Sequence, residues 1–274
     1  MEVISGRPPG SEWDGHLLLL HHSDAELLSA LATWARRGLS RGDKVVLAGA
    51  STPAQAAVLD RLRAEGADVD AAVADGRLAT LPMDRFSSDG GRDAVVGRAL
   101  AEGFPQVRMA SEVGVTRDAL PLSAHLHLER TIDRLCCTRP VSVLCQFRHS
   151  TTEPTMLPDL VTVHRYRLRD CAFSMAAGPD GLVLRGQIDR GNANVIAAVT
   201  EVATASGGHA VRLDLAAVEF IDVAACRQLL YVSQRFRESG GRVVLVDAQP
   251  SVDWTLRLFG VDEFPGVDLI GGRR

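Results

Sequence analysis

Cysteine is scarce in this chain, and the spacing of the few cysteines excludes two common uses of the residue. Five cysteines occur in 274 residues, two of them adjacent, and none forms a C-x-x-C motif. An odd number with this spacing argues against a disulfide framework and against a structural zinc site. We expect buried thiols that pack as small hydrophobic groups, with Cys145 in a core strand. The positions are Cys136, Cys137, Cys145, Cys171 and Cys226.

Long hydrophobic runs and a strong charge of either sign are also missing. No apolar run approaches the roughly 18 residues that a membrane-spanning helix needs. The first 15 residues have neither the basic start nor the apolar stretch of a signal peptide. The net charge is −4 and the isoelectric point is about 6.1, which argues against general binding to nucleic acid or to a membrane surface. These absences predict a cytoplasmic protein.

Apolar segments of strand length alternate with segments of helical periodicity along most of the chain. This alternation is typical of an α/β fold with a mainly parallel sheet and helices on its faces. The pattern restarts with a hairpin around the Gly-Pro-Asp-Gly turn at 178–181. We therefore predict two domains, 1–170 and 171–274, with no Gly/Ser-rich linker between them. Within the first domain we also predict a strand at 69–73 and a loop at 87–91.

The second domain carries several linked motifs. Residues 182–189 read LVLRGQID, residues 211–222 read VRLDLAAVEFID, and a strand followed by a helix reads RVVLVDAQPSVDWTLRLF from residue 242. Together these segments closely resemble the STAS domain, the α/β fold of bacterial anti-sigma-factor antagonists. In that family the switch region usually reads D-S-S/T-G-L, and the second hydroxyl residue is phosphorylated by an anti-sigma kinase.

The switch region is altered in this chain. Asp222 is followed by Val223, Ala224 and Ala225, and alanine has no hydroxyl group to phosphorylate. The resemblance therefore implies the fold without its usual phosphoacceptor. Asp222 is expected to cap the helix that follows, because its carboxylate can accept a bond from an unpaired backbone N–H. We predict a partner-binding surface formed by Asp189, Asp222, Val223, Ala224 and Ala225.

The first domain carries a different set of motifs: HHSDAELL, GLSRGDKVVLAGA, FPQVRMASEV, HLERTIDRL and CQFRHSTTEPTMLPDLVTVHR. Residues 16–170 are similar to the MEDS domain, a sensory domain of methanogen and methylotroph regulators such as DcmR. The family often has Cys-Gln-Tyr and a later His-Pro in the last segment, where this chain has Phe147 and Arg165. MEDS domains look like degenerate RecA-like ATPases, so the resemblance implies a three-layer α/β domain with a mainly parallel sheet.

Hydrolysis of ATP by such a fold requires a G-x-x-x-x-G-K-[ST] loop after the first strand. The matching loop, HHSDAELL, has no glycine and no lysine, and its Asp24 and Glu26 would repel a triphosphate. The only lysine of the chain, Lys44, precedes the next strand and so belongs to the opposite edge of the sheet. No G-x-S-x-G elbow and no H-E-x-x-H motif occurs either. We therefore expect that the protein is not an enzyme.

A crevice at the carboxyl ends of the parallel strands could hold an uncharged or positively charged ligand. Surface or cap roles stay open for the histidines near it, and no spacing typical of metal ligands connects them. Neither a metal nor a cofactor is predicted. The candidate ligand-binding residues are His21, His22, Asp24, Glu112, Gln146 and His149, with Glu129 and His164 added by the MEDS resemblance alone.

These features predict a cytoplasmic signalling regulator. Its STAS-like domain is expected to bind an anti-sigma factor or a related signalling kinase, under the control of a MEDS-like domain that senses a ligand or a partner. Three alternatives stay open. Asp189 and Asp222 could be an ordinary turn residue and helix cap, the N-terminal crevice could belong to a nucleotide-binding or other enzyme, and the STAS-like domain could serve as a docking or homodimerising scaffold.

Overall fold

The computed structural model describes residues 13–49, 52–112, 121–206 and 208–271. The described part of the chain divides into two compact units, residues 13–152 and residues 153–271. We name them the N-unit and the C-unit. The boundary predicted from the sequence, near residue 170, lies within the C-unit.

The N-unit is a parallel α/β structure, as predicted. Its described strands pair in the order β1-β5-β4-β2-β3, and every pairing is parallel. The strands are β1 (His16–His21), β2 (Lys44–Ala48), β3 (Leu78–Leu81), β4 (Val107–Glu112) and β5 (Val141–Arg148). The helices are α1 (Asp24–Ser40), α2 (Thr52–Ala64), α3 (Val69–Ala74), α4 (Met83–Ser87), α5 (Asp89–Ala101) and α6 (Leu122–Thr138).

Successive residues of β1 and β5 point to opposite faces of the sheet, and both faces are covered. Leu17 and Leu144 belong to an apolar cluster with Trp34 of α1. On the other face, His16 and Cys145 contact Glu129 of α6. Burial on both faces explains why these strands read as nearly continuous apolar runs. It also places two polar side chains beneath α6.

Two local predictions in the N-unit are wrong. The segment predicted as a strand at 69–73 is helix α3, whose N-cap Asp68 accepts a bond from the N–H of Ala71. The segment predicted as a loop at 87–91 contains the start of α5, with Ser88 accepting a bond from Gly91 N. Both errors have the same cause, because a side-chain cap begins a helix where the residue preferences alone favour a strand or a turn.

A buried charged group joins three segments of the N-unit. Arg108 of β4 is fully buried, and its Nε donates to Asp43 Oδ2 at 2.7 Å. The same guanidinium forms an ion pair with Asp14 and lies 5.5 Å from the centre of the Trp34 ring. A Cβ at Gly38 would lie 2.5 Å from Arg108 Cδ, so a glycine makes room for the arginine. These contacts fix β4 against the start of the domain.

The C-unit is a mixed α/β structure. Its described strands pair in the order β6-β7-β8-β9-β10-β11; β7 is antiparallel to β6 and β8, and the pairs from β8 onward are parallel. The strands are β6 (Leu168–Arg169), β7 (Phe173–Gly178), β8 (Gly181–Ile188), β9 (Ala210–Ile221), β10 (Arg242–Val246) and β11 (Val267–Ile270). The helices are α7 (Leu157–Val163), α8 (Ala193–Ala205), α9 (Val223–Val232), α10 (Gln234–Glu238) and α11 (Pro250–Leu258).

The predicted β7–β8 hairpin is confirmed, and β9 runs further than the predicted strand at 211–215. The register between β8 and β9 shifts on either side of the segment 185–186. Gly186 lies there with φ of 87°, and a Cβ at this position would be 2.1 Å from the carbonyl oxygen of Ala172. A side chain is therefore excluded both by the backbone conformation and by space.

The fold class predicted from the sequence, α/β with mainly parallel pairing, holds in both units. None of the helices in the described part of the chain combines the length and the hydrophobicity that crossing a membrane requires.

Candidate functional site

The N-terminus of α9 is the region where the sequence places a partner-binding surface. Asp222 has extended backbone angles, and its Oδ1 accepts a bond from the N–H of Ala225 at 2.8 Å. The predicted helix cap is confirmed. Its carboxylate satisfies one of the backbone donors that the first turn leaves unpaired, and its charge lies beside the positive end of the helix dipole.

The turn after β8 is tied to this cap. Oδ2 of Asp222 accepts a bond from the N–H of Arg190 at 2.8 Å, so one carboxylate joins two segments 32 residues apart. Within the turn, Asp189 Oδ1 accepts from Gly191 N at 2.7 Å, and Asn192 Oδ1 accepts from Asp189 N at 2.9 Å. The structure therefore brings Asp189 and Asp222 into one bonded surface. Sequence reasoning missed Asn192, although Asp-x-x-Asn after a strand signals such a turn.

The other predicted surface residues differ in exposure. Val223 and Ala224 are half-buried, whereas the side chain of Ala225 is fully buried. Ala225 thus contributes its backbone N–H and core packing, not a surface side chain. One and two turns after Val223, Arg227 and Tyr231 are exposed on the same helix face. The solvent face of α9 is therefore mostly apolar, with a single positive charge.

Cys226 lies directly beneath this surface, and its thiol is buried. Burial, and next the negative charge of Asp222, raise the pKa of Cys226 to about 11. A rise from the ordinary 9.0 to about 11 lowers the thiolate fraction at neutral pH on the order of 100-fold. We expect iodoacetamide to alkylate Cys226 in the native protein more slowly, by that factor, than in urea-unfolded protein. Peptide mass spectrometry would measure both rates. The exposed Cys171 is the control, and equal native and unfolded rates at Cys226 would contradict the burial.

The carboxyl edge of the N-unit sheet brings some of the predicted ligand residues together. The rings of His22 and His149 stack with centroids 4.5 Å apart. Asp24 forms an ion pair with Arg148 at the end of β5. Glu26, the second acidic residue of this loop, accepts a bond from the N–H of His22 at 2.7 Å. Both carboxylates that were expected to repel a triphosphate are therefore engaged locally, and Arg148 brings a positive charge that the sequence reasoning did not consider.

His21 lies at the end of β1, buried beside this edge. Burial, followed by the charge of Arg148, lowers the pKa of His21 below its ordinary value, so the ring is neutral at physiological pH. Its Nδ1–H donates to the carbonyl oxygen of Ser23 at 3.3 Å. A neutral imidazole held by a backbone carbonyl is a cap-like structural element, which was one of the roles left open for it.

The remaining predicted residues are not all brought to this edge. Gln146 is buried in β5 on the face opposite to Cys145, and Glu112 ends β4 with Gln146 as its register partner. Glu129 belongs to α6 and faces the sheet on its Cys145 side. His164 belongs to the C-unit, where it is fully buried and its Nδ1 lies 2.8 Å from the carbonyl oxygen of Leu160.

A buried polar cluster lies beneath α6, away from the predicted edge. Glu129 Oε2 is 3.0 Å from His16 Nε2 and 3.3 Å from Cys145 Sγ, and the thiol is 3.4 Å from the same imidazole nitrogen. His125, one turn before Glu129, places its Nε2 3.3 Å from the other carboxylate oxygen. Sequence reasoning named Glu129 alone and treated Cys145 as core, because nothing local connects β1, α6 and β5.

The predicted position of Lys44, at the sheet edge opposite to the loop after β1, is confirmed. Lys44 begins β2, and β2 is parallel to the other strands, so the lysine lies at the amino edge of the sheet while the loop after β1 lies at the carboxyl edge. Its Nζ is 3.5 Å from Glu102 and 4.9 Å from the centre of the Phe104 ring. The one lysine of the chain therefore has a local structural role.

Two family models match the chain, and the first extends past residue 152, where the N-unit ends. A family model described as MEDS, the methanogen/methylotroph DcmR sensory domain, matches residues 15–165, and a STAS domain model matches residues 180–269. No curated protein matches the chain. Among solved structures, the flagellar accessory protein FlaH from Methanocaldococcus jannaschii is similar at 12% identity, with a TM-score of 0.36, over 61% of this chain and 74% of that chain.

A sensory domain joined to a STAS domain indicates a signalling regulator, since STAS domains mediate protein–protein interactions with signalling partners. The two domains also occur in the order that the motifs predict. The MEDS model covers more than half of the residues, so the chain belongs to the MEDS family, with a STAS domain after the MEDS domain.

Proposed function

We propose that the C-unit binds an anti-sigma factor or a related signalling kinase through the turn at 189–192 and the N-terminus of α9. The chain acts as an antagonist-like regulator whose binding surface carries no phosphoacceptor. Control comes instead from the N-unit, which senses a small ligand or another protein.

The observation that carries this proposal is Ala224 at the capped N-terminus of α9. Asp222 holds the first turn and the neighbouring turn together, at 2.8 Å to Ala225 N and 2.8 Å to Arg190 N. The position at which a STAS domain usually carries a phosphorylated hydroxyl is occupied by a methyl group. A phosphate there would add up to about two negative charges beside Asp222 and displace an acidic or apolar partner. Without it, the surface stays in the binding-competent form.

The solvent face of α9 fits a protein partner. Tyr231 is 75% exposed, and Phe220 at the end of β9 is 49% exposed. Exposed aromatic groups near an arginine are typical of the centre of a protein–protein interface. A partner with an apolar patch and an acidic side chain for Arg227 would match this face.

Ala224→Asp is expected to weaken partner binding at least about tenfold, because it introduces a fixed negative charge into an interface that otherwise buries a methyl group. The full-length chain would be used to capture partners from its native lysate, identified by mass spectrometry. The affinity of the purified partner for both forms would then be measured by calorimetry.

Ala177→Asp is the matched control. Ala177 is exposed and pairs with Leu182 near the start of β8, whereas Asp189 follows the other end of that strand, roughly 20 Å away at about 3.3 Å per residue. It should leave binding unchanged. Recovery of an anti-sigma kinase whose affinity for Ala224→Asp equals that for the wild type would contradict the proposed surface, and the absence of any such kinase would contradict the proposed partner class.

A further inference from the structure

The buried cluster beneath α6 consists of metal-ligating side chains. His16, Glu129 and Cys145 are 3%, 1% and 0% exposed. They come from three separate elements, β1, α6 and β5, and each points one nitrogen, oxygen or sulfur atom at a common centre. The three ligand atoms lie 3.0, 3.3 and 3.4 Å apart. We name this group the α6 cluster.

The chemistry of the donors selects a class of ion. An imidazole nitrogen, a thiolate and a carboxylate are ligands of zinc and of other first-row transition metals of similar softness. Calcium and magnesium prefer oxygen ligands alone and would not use the thiol or the imidazole. A tetrahedral zinc ion with bonds of about 2.0–2.3 Å holds nitrogen, oxygen and sulfur ligand atoms about 3.3–3.6 Å apart. The separations in the α6 cluster, 3.0, 3.3 and 3.4 Å, need only small side-chain rotations to reach this spacing.

Two further side chains, Asp133 and His125, lie beside these ligands. The second ring nitrogen of His16, Nδ1, faces the carboxylate of Asp133 at 3.9 Å. Metal-bound histidines commonly present their other N–H to a carboxylate, which fixes the tautomer and raises the basicity of the ligand nitrogen. His125 Nε2 lies 3.3 Å from Glu129 Oε1 and leaves Oε2 directed at His16 and Cys145.

Without an ion, the Cys145 thiol donates to Glu129 Oε2 at 3.3 Å. A divalent ion would take the place of that proton, because it attracts both the carboxylate and the thiolate and replaces the water that both have lost.

We propose that His16 Nε2, the Glu129 carboxylate and Cys145 Sγ bind one transition-metal ion of the zinc class. The bound ion would be an inorganic ligand in the core of the sensory domain, and the folding of β1, α6 and β5 would depend on the concentration of free metal ion.

The test uses the full chain and Co²⁺ as the probe, because a cobalt ion bound to a thiolate gives a charge-transfer band in the near ultraviolet and visible d–d bands. Protein stripped with a chelator and titrated with Co²⁺ is expected to show both bands at a stoichiometry of one, and Zn²⁺ should displace the cobalt. Protein purified without a chelator is expected to retain zinc in elemental analysis.

Cys145→Ser should abolish the charge-transfer band and weaken Co²⁺ binding by more than the roughly 10–100-fold that is typical for loss of a supporting residue. Cys226→Ser, which changes a buried cysteine in the C-unit, should leave the spectrum and the affinity unchanged. Far-ultraviolet circular dichroism would show that both variants are folded.

Two outcomes would overturn the proposal. Wild-type chain that gives no charge-transfer band with Co²⁺ would identify the α6 cluster as a metal-free hydrogen-bond network in which the thiol donates to Glu129. A band that persists in folded Cys145→Ser would place the thiolate ligand elsewhere. The wild-type spectrum decides the first question even if a variant fails to fold.

Discussion

Arg108→Met is expected to lower the free energy of unfolding of the N-unit by about 3–5 kcal/mol, the range for removing one partner from a buried ion pair. The guanidinium is fully buried between Asp14 and Asp43 and faces the Trp34 ring. Methionine fills much of the same volume but leaves two carboxylates without a cation. Urea denaturation followed by tryptophan fluorescence would measure the change, since Trp34 is fully buried in this unit.

One variant serves as a surface control, and a double variant separates the effect of charge from that of packing at Arg108. Arg63→Ala removes an exposed arginine that bridges Asp60 and Asp70 at 2.9 Å each, and it should change stability by less than about 1 kcal/mol. Adding Asp43→Asn to Arg108→Met should recover part of the loss, because one uncompensated charge disappears. A loss below about 1 kcal/mol in Arg108→Met alone would show that the buried pair contributes no net stability.

Gly186→Ala is expected to destabilise the C-unit on the order of 3 kcal/mol. About 1–2 kcal/mol comes from holding a side chain at positive φ, and the rest from a Cβ that would lie 2.1 Å from a backbone carbonyl oxygen. The strands on either side, β7 and β9, would have to shift to accommodate it. Far-ultraviolet circular dichroism in urea gives the size of the effect, and hydrogen exchange over β8 locates it.

Gly240→Ala is the matched control for this substitution. Gly240 also has a positive φ, 92°, but an added Cβ would meet nothing within 4 Å. Gly240→Ala places a side chain at positive φ without a steric clash, so it should lower the free energy of unfolding by about 1–2 kcal/mol. Equal losses in the two variants would mean that the close approach at Gly186 contributes nothing.

Most strands and helices follow from residue patterns because each pattern acts locally. Parallel strands buried on both faces produce apolar runs such as His16–His21, and the α/β alternation around them is unambiguous. Besides its side-chain cap, the helix at 69–74 was misread because it is one turn and a half long, and Val69 and Ala72 are its only buried residues. Over so few positions, the two-residue spacing of buried side chains in a strand cannot be distinguished from the three- to four-residue spacing in a helix.

The candidate sites also differ in how close in the sequence their contacting residues lie. The cap made by Asp222 is a contact across three residues, so its residue type and position were sufficient to predict it. The α6 cluster depends on contacts across 113 and 129 residues, and each member alone has an ordinary explanation. In the sequence, His16 can be explained as a polar residue at the start of a strand, and Cys145 as a small apolar residue of the core. Only the parallel order of β1 and β5, with α6 across them, brings the two together.

The two bonds made by Asp222 also determine how a partner would bind. Because one carboxylate holds the 189–192 turn and the first turn of α9, the backbone of that surface is already ordered before contact. Association then involves little loss of conformational entropy on this side of the interface. Binding would approach rigid docking, with differences in affinity between partners expressed mainly in how slowly they dissociate. Under the proposed function, the N-unit would then control the chain by changing the lifetime of the complex.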